Sequence, residues 1–143
     1  MERRMEILVI GGNRFVGKKV VSTLYKEHNI TVLNRSGRSP VSALSCNIIR
    51  QNRNELKELK EYDIIIDMCL YNLEQTKNIV DILKKQQNLQ QYIFISSIAS
   101  ELEFFGEYGK QKLLAENHII NSKLPWVILK PTYVLGIDNP HDR

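Results

Sequence analysis

Two residues four apart, Tyr108 and Lys112, could do proton chemistry if their segment is helical, because that spacing puts them side by side on one face. A tyrosine with an ordinary pKa near 10 is a poor acid or base at neutral pH, but a neighbouring ammonium stabilises the phenolate. Ser96 and Ser97, at the end of the preceding apolar run, offer a hydroxyl to hold a carbonyl or alcohol oxygen beside the tyrosine. A second group is the run Ile7-Leu8-Val9-Ile10-Gly11-Gly12-Asn13-Arg14-Phe15-Val16-Gly17, in which an apolar stretch stops on two glycines before helix-like sequence. That order reads as strand, tight turn and helix start. Glycines let the backbone bend sharply and approach a ligand, and the N–H groups of a first helical turn face an anion, so residues 11–17 are the expected phosphate site. Gly17 falls inside the helix, where a missing side chain permits close packing.

The third group follows a second apolar run at residues 30–33. A dinucleotide fold reads the adenosine ribose at this point, with a carboxylate for the 2′-OH of NAD or an arginine for the 2′-phosphate of NADP. Asn34, Arg35 and Arg38 stand there and no carboxylate does, so the residues favour NADP over NAD.

Positioning these groups requires a particular set of elements. Val16, Val20, Val21 and Leu24 share one helical face over residues 14–27. Residues 34–40 form a breaker-rich turn, residues 46–50 a third strand and residues 55–60 a short charged helix. Residues 62–68 are nearly all apolar, as in a strand covered on both faces. A helical stripe of Leu73, Thr76, Ile79, Val80 and Leu83 follows, then a strand at 92–96, a helix over 107–121 and a last strand from Trp126 to Lys130. Strands alternating with helices, read as βα five times and a sixth strand, predict a Rossmann-type doubly wound parallel sheet of order 3-2-1-4-5-6 with helices on both faces. Ligands of such sheets bind at the carboxyl ends of the strands, where the glycine turn and the serine pair both fall.

The 143 residues make one domain. No apolar run approaches the roughly 20 residues of a membrane span, and the short segment behind Met1-Glu2-Arg3-Arg4 does not suit a signal peptide, so a cytoplasmic protein is expected. Cys46 and Cys69 lack metal-like spacing and are too few for a disulfide framework. The formal charge of +4 is dispersed, with no basic stripe of the kind that marks a nucleic-acid surface.

With these residues in view, the chain resembles the extended and atypical branches of the short-chain dehydrogenase/reductase superfamily, of the NAD-dependent epimerase/dehydratase type. It is most similar to reductase-like members with a Gly-Gly-Thr-Arg-Phe-x-Gly turn, a group that includes chloroplast stem-loop RNA-binding proteins. The likeness rests on residues 11–17, on Tyr62-Asp63-Ile64-Ile65-Ile66-Asp67, on Phe94-Ile95-Ser96-Ser97, on Tyr108-Gly109-Lys110-Gln111-Lys112 and on residues 129–136, and extends to the tail at 138–143. It implies that Ser97 orients a substrate oxygen, Tyr108 transfers a proton, and Lys112 binds the nicotinamide ribose and lowers the tyrosine pKa. Arg14 replaces the middle glycine of the usual turn, and the segment between Ser97 and Tyr108 is shorter than in most extended members. Members of the family continue into a substrate-binding lobe, so the likeness implies a chain that stops before it. An uncovered sheet edge there would invite self-association or a second polypeptide. Two functions are then in play. One is an NADP-dependent oxidoreductase or epimerase acting on a small carbonyl or nucleotide-sugar-like substrate. The other is a non-catalytic dinucleotide-binding sensor or an RNA- or protein-interaction module. An inert fragment is the third, plainest reading.

Overall fold

The computed structural model describes residues 2–13, 15–41 and 46–136. Six strands form one parallel sheet: β1 Glu6–Ile10, β2 Asn29–Asn34, β3 Asn47–Arg50, β4 Ile64–Asp67, β5 Gln91–Ile95 and β6 Trp126–Leu129. Their spatial order is β3-β2-β1-β4-β5-β6, the expected doubly wound topology. Val9 lies between Val32 of β2 and Ile66 of β4, and Ile66 in turn opposes Ile93 of β5. From β1 the chain builds first toward β3 and then toward β6, so a crevice opens between the carboxyl ends of β1 and its neighbours.

Among the described residues three α-helices pack on this sheet: α1 Phe15–Leu24, α2 Leu73–Leu83 and α3 Gly106–Ile120. Alternation along each strand sends successive side chains to opposite faces. Ile7 and Val9 join Val21, Ile30, Val32 and Ile66 under α1. Leu8 and Ile10 join Ile65, Ile79, Val80, Phe94, Ala115 and Ile119 under α2 and α3. Two apolar layers therefore enclose the central strands, which accounts for their nearly unbroken apolar sequence.

The stretch 55–60 corrects one expectation. Its only regular structure is a 3₁₀ turn at Arg53–Glu55, started by Asn52, whose side chain accepts from the Asn54 N–H; beyond it the chain runs extended. Side chains of α2 and its end take the carbonyls a helix would need: Asn78 donates to the Leu56 oxygen and Gln86 to the oxygens of Leu59 and Lys60. Leu56 is buried in the core beneath. Six residues cannot offset the cost of helix nucleation against such long-range partners. The βα alternation is correspondingly less regular than expected, since β3 and β4 are joined without an α-helix. Arg14 and the tail at 138–143 lie outside the described residues. No described helix is long and apolar enough to cross a membrane.

Candidate dinucleotide site

The glycine turn links β1 to α1 at the carboxyl edge of the sheet. Gly11 has φ +83°, and a Cβ there would stand 2.8 Å from Cys69 Sγ. Gly17 lets α1 close on the turn, for its Cβ would come within 2.7 Å of Gly12 Cα. The Gly11 N–H is spent on the Leu33 carbonyl at 2.9 Å. By contrast, the main-chain N–H groups of Gly12, Asn13, Phe15, Val16 and Gly17 make no hydrogen bond to another described residue. Unpaired amides gathered at a helix start suit an anion, and the residues of this turn could hold the pyrophosphate of a dinucleotide. Phe15 contributes its backbone: it holds φ +34°, and its ring lies against Gly136, where an added Cβ would meet it at 2.6 Å.

A crevice of about 360 Å³ opens beside the turn, lined among others by Gly11, Asn13, Arg35, Arg53, Cys69 and Tyr71. Asn34, expected to read a ribose, has its amide committed elsewhere. Its Oδ1 accepts from the Gly37 N–H at 2.6 Å and from Ser36 Oγ, and its Nδ2 donates to the Arg38 carbonyl at 2.9 Å. Asn34 thus shapes the turn that carries Arg35 and Arg38, both exposed. Arg35 faces the crevice, whereas Arg38 is not among its lining residues.

The crevice floor holds a charge pair. Arg53 meets Asp67, at the end of β4, through two hydrogen bonds of 2.6 and 2.9 Å. Asp67 is fully buried and also accepts from the Tyr92 hydroxyl at 2.9 Å. Burial works against the charge on Arg53, but the field and hydrogen bonds of Asp67 outweigh it and hold the guanidinium above its ordinary pKa. Burial, reinforced by Asp67, pushes the Tyr92 phenol well up. Burial, and then the field of Asp67, pushes the Cys69 thiol up as well.

The two serines have different fates. Ser96 is buried and donates to Glu116 Oε1 at 2.5 Å, and Glu116 in turn pairs with Lys130 at 3.0 Å. Ser97 is the half-buried one, and it caps the 3₁₀ turn Ile98–Glu101 by accepting from the Ala99 N–H at 3.2 Å. That turn packs directly on α3, because a Cβ on Gly109 would overlap the Ala99 carbonyl oxygen. Ser97 and Tyr108 are in this way brought to adjoining segments.

Tyr108 is 48% exposed and Lys112 only 3%. The Lys112 ammonium donates to the Leu70 carbonyl at 2.7 Å and lies among three rings, 5.2 Å from Phe94, 5.4 Å from Tyr71 and 5.6 Å from Tyr108. Burial lowers its pKa, against partial support from the field of Asp67.

A family model described as NAD(P)H-binding matches residues 11–142, from the glycine turn through all the strands that follow. The chain belongs to this NAD(P)H-binding family. Solved structures agree with the fold. A short-chain dehydrogenase/reductase from Veillonella parvula superposes with a TM-score of 0.76 at 16% identity, over 97% of this chain and 73% of its own. UDP-glucuronic acid 4-epimerase from Bacillus cereus, in complex with NAD, gives 0.74 at 18% identity, over 97% of this chain and 60% of its own. UDP-N-acetylglucosamine 4-epimerase from Methanobrevibacter ruminantium gives 0.74 at 18%, over 90% of this chain and 55% of its own. The NAD(P)H-binding chain therefore spans little more than half the length of these epimerases. No curated protein matches it.

Sequence reasoning did not single out Arg53, Cys69, Tyr71 or Tyr92 as neighbours of the site. A signal for the first existed: a strand as apolar as residues 62–68 that ends in an aspartate needs a buried cation, and Arg53 is near in sequence.

Proposed function

We propose that this NAD(P)H-binding domain carries an oxidoreductase- or epimerase-type site in which Tyr108 exchanges a proton with a carbonyl or alcohol oxygen. The observation that carries the reading is the buried Lys112 ammonium 5.6 Å from the Tyr108 ring, on the same sheet edge as the amides of residues 12, 13 and 15–17, which bond no other described residue. The pyrophosphate would lie on those amides and the nicotinamide ribose by Lys112, which has two N–H donors beyond the one given to Leu70. When bound, the nicotinamide supplies or accepts a hydride.

The chain's own groups would do the rest. Ser97 presents a hydroxyl from a capped, packed turn and orients the substrate oxygen, and Tyr108, partly open to solvent, can relay its proton outward. Arg35 and Arg38 supply cations at the end of β2 where a 2′-phosphate would sit, which favours NADP over NAD. A small carbonyl compound or a nucleotide-sugar-like molecule is the proposed substrate; the solved epimerases above act on the latter class.

The test is a fluorescence titration with NADPH and NADH, followed by turnover assays on simple aldehydes, ketones and UDP-sugars with wild type and Tyr108→Phe. Saturable NADPH binding with turnover that vanishes in the variant, at unchanged cofactor affinity, is the expected result. Binding without any turnover would reassign the domain to a non-catalytic role, and equal turnover in Tyr108→Phe would remove that residue from the chemistry.

A further inference from the structure

Tyr71 is held on both sides by other elements, yet its own ring is left open. The Leu70 carbonyl before it accepts from Lys112 of α3, and its own N–H donates to Gln75 Oε1 at 2.9 Å. Asn72 after it caps α2 by accepting from the Gln75 N–H, and Gln111 of α3 accepts from the Leu73 N–H at 3.0 Å. Gln75 also reaches across to Asn54, next to the crevice-floor arginine, at 2.8 Å. The backbone of residues 70–73 is thus pinned, while the Tyr71 side chain is 56% exposed.

That ring occupies a particular place. It lines the same crevice as Gly11 and Asn13, and it lies 5.4 Å from the Lys112 ammonium that Tyr108 also faces. A ligand anchored by its phosphates on the glycine turn and extending toward Tyr108 must run along Tyr71. A fixed backbone with an open aromatic face is what a flat ring or a sugar face needs as a wall, because the ordering cost has been met before the ligand arrives.

Resting on the cofactor reading above, we infer that Tyr71 is the wall for the nicotinamide half of the dinucleotide, a positioning residue that sets where this half lies relative to Tyr108. The phenol hydroxyl is not needed for this, so Tyr71→Phe keeps the function and Tyr71→Ala loses it. On this inference the adenosine half is held by the β2 turn and the glycine loop and does not draw on the ring, although Arg35 and Tyr71 line one crevice.

The experiment compares NADPH with 2′,5′-ADP, which carries the adenosine phosphates and no nicotinamide, by calorimetric titration of wild type, Tyr71→Phe and Tyr71→Ala. Removing one aromatic contact predicts a loss of about ten-fold in NADPH affinity for Tyr71→Ala. Affinity for 2′,5′-ADP should stay unchanged in all three proteins, and NADPH affinity should be retained in Tyr71→Phe. Equal NADPH affinity in Tyr71→Ala overturns the inference, as does a matching loss for both ligands, which would mark a defect of the whole site. Should wild type bind 2′,5′-ADP but not NADPH, Tyr71 has no such role while the phosphate site stands. Should it bind neither, the cofactor reading itself fails.

Discussion

Arg53 and Asp67 form a two-pronged ion pair, Nη1 to Oδ1 at 2.6 Å and Nη2 to Oδ2 at 2.9 Å, with the aspartate fully buried. The pair joins the segment after β3 to the end of β4 and fixes Arg53, which lines the crevice. Arg53→Met would strand a carboxylate with the Tyr92 hydroxyl and the Cys69 N–H as its remaining partners among the described residues. Losing one partner of a buried pair costs about 3–5 kcal/mol, whereas replacing both is close to neutral. Urea denaturation should therefore show a large loss for Arg53→Met and recovery of most of it in Arg53→Met/Asp67→Asn, where the amide still accepts from Tyr92. A loss below about 1 kcal/mol in the single variant would show that the pair is solvated rather than buried.

Gly17→Ala tests the close approach of α1 to the turn. Its new methyl would meet Gly12 Cα at 2.7 Å and the Gly11 oxygen at 3.0 Å, both backbone atoms that cannot swing aside. Overpacking of this kind costs about 1–3 kcal/mol. Because relief requires α1 to lift, the five unpaired amides separate, and NADPH affinity should fall along with the melting temperature. A variant that melts like wild type and binds NADPH equally would mean that the helix does not rest on the turn.

How much of this was legible in the chain depends on the range of the interactions concerned. The sheet order and the glycine turn follow from local pattern: apolar runs of strand length, punctuated by breakers, with a helical stripe between. Residues 55–60 misled because their charge pattern suits a helix, while Asn78 and Gln86, more than twenty positions away, claim the carbonyls. Asn34 shows the reach of local bonds instead. Its neighbours Ser36, Gly37 and Arg38 engage its amide, so the residue that lines the crevice at the end of β2 also builds its own turn. Ser96 and Ser97 could not be told apart from adjacency, and only the partner Glu116, on α3, separates the buried one from the capping one.

Arg35 and Arg38 make separable predictions. Both are exposed at the end of β2, but Arg35 lines the crevice and Arg38 is held back by a turn whose carbonyl Asn34 has captured. A charge-assisted bond to phosphate is worth about 1.5–3 kcal/mol, so Arg35→Ala should lower NADPH affinity by about ten-fold or more while NADH is unaffected. Arg38→Ala should have a smaller effect, and the NADPH preference should weaken as salt is raised. Paired NADPH and NADH titrations check this, and an Arg35→Ala protein that still prefers NADPH to the same degree would place the 2′-phosphate elsewhere.

Two lysines should give pH dependences of opposite sign. Burial lowers the Lys112 pKa below its ordinary 10.5, so between the lowered value and 10.5 the unfolded chain binds more protons than the folded one. Stability then rises with pH across that interval; the contribution is complete above 10.5 and is lost as pH falls through the lowered value. Lys130 behaves the other way. Its hydrogen bonds to Glu101 at 2.8 Å and to Glu116 at 3.0 Å raise its pKa, so its stabilisation is complete below 10.5 and is lost as pH rises through the raised value. Denaturation of wild type, Lys112→Met and Lys130→Met between about pH 7 and about pH 11 separates the two. Wild type should gain on Lys112→Met as pH climbs, and should hold level against Lys130→Met and then lose ground at the alkaline end. If both differences moved in the same direction, either the ammonium of Lys112 is hydrated rather than enclosed by Phe94, Tyr71 and Tyr108, or the Lys130 bridge does not form in solution.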